Sequence, residues 1–146
     1  MLQLFARAGI SFKYPGNWEF ETEESDDGWT VSIQSPNTAF FILSVDFNED
    51  DATQLAEQAL QAMQESYSNI ELKSVVTTIA GSPATGYDIH FFAFDLTSNC
   101  AIRGVTCTLG SMLIMSQCAD CDLEESGPVL QAVMDSIKIE DDEIEP

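Results

Sequence analysis

Gly9-Ile10-Ser11-Phe12-Lys13-Tyr14-Pro15-Gly16-Asn17-Trp18 is the stretch that decides the fold. Ile10, Phe12 and Tyr14 alternate with Ser11 and Lys13, the period of two that marks a half-buried strand. Pro15 lacks the N–H a ladder needs, and Gly16-Asn17 suits a turn, so the strand stops there. Trp18 returns a large apolar ring at once. The chain that holds this stretch has 146 residues, 45% of them apolar, enough for one domain that buries roughly 70% of its unfolded surface. We read that domain over residues 1–139. No run approaches about 18 consecutive apolar residues, so no membrane insertion is expected. Residues 1–8 are too short and polar for a secretory leader, and the expected location is the cytoplasm, unless a leader has been removed ahead of this sequence.

Outward from the opening strand, Glu19 to Glu24 continues the alternation into a turn at Ser25-Asp26-Asp27-Gly28. Trp29, Val31 and Ile33 mark the next strand, and Phe40 to Phe47 a more continuously apolar one, completing an N-terminal meander. Asp50 or Asp51 caps a helix whose apolar stripe is Ala52, Leu55, Ala56, Ala59, Leu60, Met63 and Tyr67. Four strands follow: Ile70 to Ile79, Thr85 to Phe94, Ala101 to Leu109 and Met112 to Cys118. Thr97-Ser98-Asn99 is expected to turn the chain between the second and third, and Gly110-Ser111 between the third and fourth. A second helix is expected to begin with Pro128 in its first turn. Residues 140–146 carry five carboxylates in seven positions and read as a disordered acidic tail. The predicted class is α+β: an antiparallel sheet of six to seven strands flanked by two main helices. Ile10, Phe12, Tyr14, Trp18, Leu60, Met63, Ile89, Phe91, Val133 and Ile137 are expected to share one core.

The pattern Gly-x-x-Phe-x-Tyr-Pro-x-x-Trp over residues 9–18 resembles the opening of the PsbP-like superfamily. The element order agrees with that resemblance over about residues 9–139. The superfamily includes the extrinsic photosystem II subunit, a Ran-binding nuclear-import factor and bacterial DcrB-like proteins; a bacterial setting is expected here. The resemblance implies a partner-binding, non-enzymatic domain without a cofactor. It transfers no site.

Twenty-five acidic side chains against five basic ones give a net charge of −20. Such a field repels nucleic acid and anionic membranes and attracts basic proteins or peptides. Glu19, Glu21, Glu23, Glu24, Asp26 and Asp27 gather at the first hairpin and are the candidate interaction residues. The same charge also serves solubility alone. A small-molecule or lipid pocket between sheet and helix is the alternative function, and a cysteine-based metal or redox response the third.

Cys100, Cys107, Cys118 and Cys121 are the weak redox or metal candidates. With the hairpin turn at Gly110-Ser111, Cys100 would sit opposite Cys121, within disulfide reach, and Cys107 opposite Ile114. Only Cys118-Ala119-Asp120-Cys121 has knuckle spacing, and acidic neighbours have the wrong sign for a reactive thiol. Free thiols and no tightly bound zinc are the expectation. His90, the only histidine, reads as a packed or edge residue between Ile89 and Phe91. No nucleophile elbow, phosphate loop or calcium loop is present.

Overall fold

The computed structural model describes residues 1–140. The chain opens with a hairpin of β1 (Leu2–Arg7) and β2 (Ile10–Pro15), turned at Ala8-Gly9. β1 escapes a reading by alternation because Leu2 and Leu4 are exposed and only Phe5 is buried. Pro15-Gly16-Asn17 does more than bend the strand. It transfers the chain to a second sheet, where β3 (Glu19–Ser25), β4 (Gly28–Gln34) and β5 (Phe40–Asp46) form the meander. The opening strand is therefore not part of the meander, as expected from sequence, but of a smaller sheet that packs on it.

Helix α1 (Ala52–Ser66) follows, capped by Asp51, whose carboxylate accepts from the Thr53 N–H at 3.0 Å. Then come β6 (Glu71–Ile79), β7 (Ser82–Ala93), β8 (Leu96–Cys107) and β9 (Gly110–Ala119). A single 3-10 turn over Asp120–Asp122 leads into α2 (Leu123–Asp135), and β10 (Lys138–Ile139) closes the described chain. The seven-stranded sheet runs β3-β4-β5-β9-β8-β7-β6, all antiparallel neighbours, and the three-stranded one β1-β2-β10. The fold is α+β.

Three boundaries differ from the sequence expectation. The β7–β8 turn is Phe94-Asp95, so Thr97, Ser98 and Asn99 already belong to β8. The β8–β9 turn is Thr108-Leu109, because Cys107 pairs with Gly110. That slips the ladder by four residues, and Cys100 faces Gln117 rather than Cys121. Helix α2 starts at Leu123, which places Pro128 in its second turn. There the proline removes the one N–H that would bond the Glu124 carbonyl. The entry of the helix is held instead by Asp122, whose carboxylate accepts from the Thr38 N–H, the Thr38 hydroxyl and the Ser126 hydroxyl at 3.2, 2.8 and 2.8 Å.

Side chains alternate across the large sheet, and the two faces build two cores rather than the single one expected. Ala56 and Met63 of α1 cover Ile89, Phe91, Cys100 and Ile102 on one face. Phe5, Ile10 and Phe12 of the small sheet, with Leu130 and Val133 of α2, cover Val31, Phe41, Ile114 and Cys118 on the other. Phe12 sits between Phe5 and Phe41 with ring centroids 5.2 Å from each. Of the expected set, Tyr14 and Leu60 lie only at the margins of their cores.

Candidate functional site

The small sheet and α2 cover only part of their face. The β6–β8 half stays open and forms, with α2 as a wall, a cleft of about 800 Å3. Its floor is made by residues that the ladder brings side by side: Lys73 opposite Asp88, Glu71 opposite His90, His90 opposite Asn99. Leu123, Leu130 and Met134 supply an apolar wall. Gly86 lets β7 and β8 approach beneath this floor, because a Cβ there would fall 1.8 Å from the Ile102 carbonyl oxygen.

Arg103 lies along this floor with its side chain 12% exposed. Its Nη1 donates to the Ile102 and Tyr87 carbonyls at 2.9 and 3.2 Å, and its Nη2 to Asp88 Oδ1 at 2.8 Å. At the cleft's end, His90 Nε2 meets Asp120 Oδ2 at 2.8 Å, while its Nδ1 lies 3.7 Å from Glu71 Oε1. The Asn99 amide donates to the other Asp120 oxygen. The hydrogen bond to Asp120 raises the His90 pKa above its usual value, and the same bond holds Asp120 below the carboxylate range. His90 is thus neither packed nor idle at an edge; it is half-exposed and hydrogen-bonded to Asp120. Lys73, Arg103 and His90 are half of the six basic residues of a strongly acidic chain, gathered in one place. Sequence reasoning missed this set, because no motif joins positions 73, 88, 90 and 103. The available signal was charge inside otherwise apolar or β-branched strands.

The cysteines do not converge. Cys100 faces α1, while Cys118, opposite Asn99, faces the α2 side. Cys107 is half-buried and Cys121 exposed, and all four are free. Burial pushes the Cys100 thiol up to about 12. Burial, with Asp122 and Asp120 nearby, also raises Cys118. Such thiols stay protonated, which makes them poor nucleophiles and poor metal ligands. Among the described residues, no three His, Cys, Asp or Glu side chains are placed to hold a metal ion.

The acidic candidates lie at the opposite edge of the sheet, about 30 Å away at ~4.8 Å per strand. Glu19, Glu21, Glu23 and Glu24 line β3, and Asp26 and Asp27 its turn, all exposed. Two have partners within the chain. Glu24 pairs with Arg7 at 2.8 Å, whose guanidinium lies over Trp29, and Asp27 accepts from the Asn48 amide at 2.7 Å. No helix among the described residues is long and apolar enough to cross a membrane.

The architecture is that of a PsbP-like domain. The solution structure of cyanobacterial PsbP from Synechocystis sp. PCC 6803 is similar at a TM-score of 0.62 and 14% identity, covering 95% of this chain and 92% of that one. A protein of unknown function from Pseudomonas aeruginosa, described as a putative regulator, is similar at 0.58 and 14% identity, covering 96% and 98%. LpqN of Mycobacterium tuberculosis, described as involved in cell envelope biogenesis, is similar at 0.56 and 10% identity, covering 97% and 91%. These likenesses establish the fold. No family model matches the sequence, and no curated protein is similar enough to count as a relative.

Proposed function

We propose that this chain is a non-enzymatic binding domain that takes an extended peptide segment along the free edge of β6, beside the mouth of the cleft. The observation that supports it is the contrast between the two edges of the large sheet. β3 carries four glutamates, the usual protection against unwanted strand addition. β6 carries no charge from Ser74 to Ile79, and Val76 is 78% exposed. An added strand would gain main-chain hydrogen bonds from β6 and set alternate side chains toward the cleft. The net charge of −20 favours a basic partner, and Glu19, Glu21, Glu23, Glu24, Asp26 and Asp27 are placed to steer it from a distance. Four free thiols suit a reducing, cytoplasmic setting.

Selection from a displayed library of basic, extended peptides about ten residues long tests the reading. Selected peptides should protect β6 amides from hydrogen exchange and lose binding to a Val76→Lys variant, whose exposed site leaves the fold intact. Binding that leaves β6 unprotected and ignores Val76→Lys would refute it. A small-molecule ligand held in the cleft is the second reading, favoured by the apolar wall of the cleft and by Lys73 on its floor. It predicts the reverse pattern: a mass increment in native mass spectrometry that Lys73→Gln removes and Val76→Lys does not.

A further inference from the structure

We infer that the tip of the β7–β8 hairpin is a second interaction surface, one that inserts Phe94 into an apolar pocket rimmed by Lys or Arg on a partner protein. Among the described residues, three hairpins turn on two residues with positive φ. Ala8-Gly9 has φ of 53° and 85°, and Ala80-Gly81 has 52° and 80°. Each of these pairs ends in glycine, the residue that backbone favours. The third is Phe94-Asp95, with φ of 54° and 64°. A bulky ring in the left-handed region is strained, and this ring gains nothing from its own fold, being 90% exposed. Strain and exposure coincide at one residue, which points to a use outside the molecule.

The hairpin is built to present it. β6 reaches only to Glu71, opposite His90, and β9 only to Ala119, opposite Ser98. Residues 91–97 therefore stand beyond both neighbouring strands. Phe91 anchors the base, its ring centroid 4.7 Å from that of Tyr67. Above it, Phe92 is 59% and Leu96 40% exposed, so the tip is apolar on both faces. Asp95 is the only charge between Phe91 and Ser98.

That carboxylate selects the partner. In a bilayer it would be drawn toward hydrocarbon beside Phe94, at high cost. A second copy of the chain would bring another −20 charge to the contact. A protein pocket with a basic rim satisfies ring and carboxylate together, as a central aromatic anchor ringed by polar contacts.

A photo-crosslinking phenylalanine analogue at position 94 of the full chain, used in its native cells, identifies the protein it touches. That protein is then purified and titrated. Phe94→Asn should weaken binding by at least about tenfold. Asp95→Asn should slow association at low salt but little at high salt. Val76→Lys should leave this binding unchanged, which separates it from strand addition at β6. Phe94→Asn should melt no lower than the wild type, so loss of binding is not loss of fold. The inference is overturned by absence of any crosslinked protein, or by crosslinks to the chain itself or to lipid. It is equally overturned by Phe94-dependent cosedimentation with phosphatidylcholine vesicles, or by a partner that binds Phe94→Asn within twofold of wild type.

Discussion

Replacing Phe94 by Asn should stabilise the fold slightly, although it removes a large aromatic ring. A phenylalanine buries about 150–250 Å2 when fully enclosed. At 90% exposure, only some 20 Å2 of that is realised here, or about 0.5 kcal/mol at roughly 25 cal/mol per Å2. Against it stands the backbone: the left-handed conformation costs an ordinary L-residue roughly 1–2 kcal/mol, and Asn, which bonds its own backbone there, recovers about 1. The net gain is about 0.5 kcal/mol, or 1–2 °C in Tm for a domain of this size. Urea denaturation measures it, with Phe94→Ala as the comparison. Alanine loses the same ring contact but keeps the strain, so Asn should exceed Ala by about 1 kcal/mol. If Asn proves no more stable than Ala, the strain argument fails. If both fall more than about 1 kcal/mol below wild type, the ring contributes to the fold after all.

Phe12→Ala, at the fully buried junction of the two sheets, should cost about 3–5 kcal/mol in the same assay. Leu60→Ala, at the margin of the α1 core, should cost less, about 1–2 kcal/mol. Asp122→Ala strands the Thr38 N–H, its hydroxyl and that of Ser126, and should cost about 2–3 kcal/mol near neutral pH. Burial raises the Asp122 pKa, but those hydrogen bonds outweigh it and hold the group below the usual range, so its contribution disappears as pH falls through the folded value. His90 has the opposite sign. Its raised pKa stabilises the fold below about pH 6.5, and this is lost as pH rises through the folded value. A His90→Gln protein should therefore show a flatter stability profile across neutral pH, and an unchanged profile would dismiss the Asp120 pairing.

What the sequence disclosed and what it hid follow from the range of each signal. Helix α1 was legible because its stripe and its Asp51 cap lie within one continuous segment. Ala80-Gly81 was legible because glycine announces a left-handed turn. Phe94-Asp95 carries no such residue, and the polar run Thr97–Asn99 is the stronger turn signal in the sequence. Thr108-Leu109 likewise gives a weaker turn signal than Gly110, which has a positive φ but belongs to the strand. That single slip of four residues moved Cys100 from Gln117 to Cys121 and suggested a disulfide the ladder does not allow. The cleft depends on the same pairings, since Lys73, Asp88, His90 and Arg103 meet only across three strands. β1 was invisible because its side chains face solvent except Phe5.

The small sheet joins residues that synthesis separates by nearly the whole chain. β10 pairs with β2, the Lys13 N–H bonds the Ser136 hydroxyl, and the Glu140 N–H bonds the Gly9 carbonyl at 2.7 Å. During translation the first hairpin emerges long before its third strand, since 123 residues separate Lys13 from Ser136. Contacts of such long separation slow folding and lengthen the time apolar surface stays open. A nascent chain therefore holds this hairpin without its third strand and without the cover of α2 until residues 123–139 have been made. A circular permutant that links residue 140 to residue 1 and opens at Ala80-Gly81 would make that contact local.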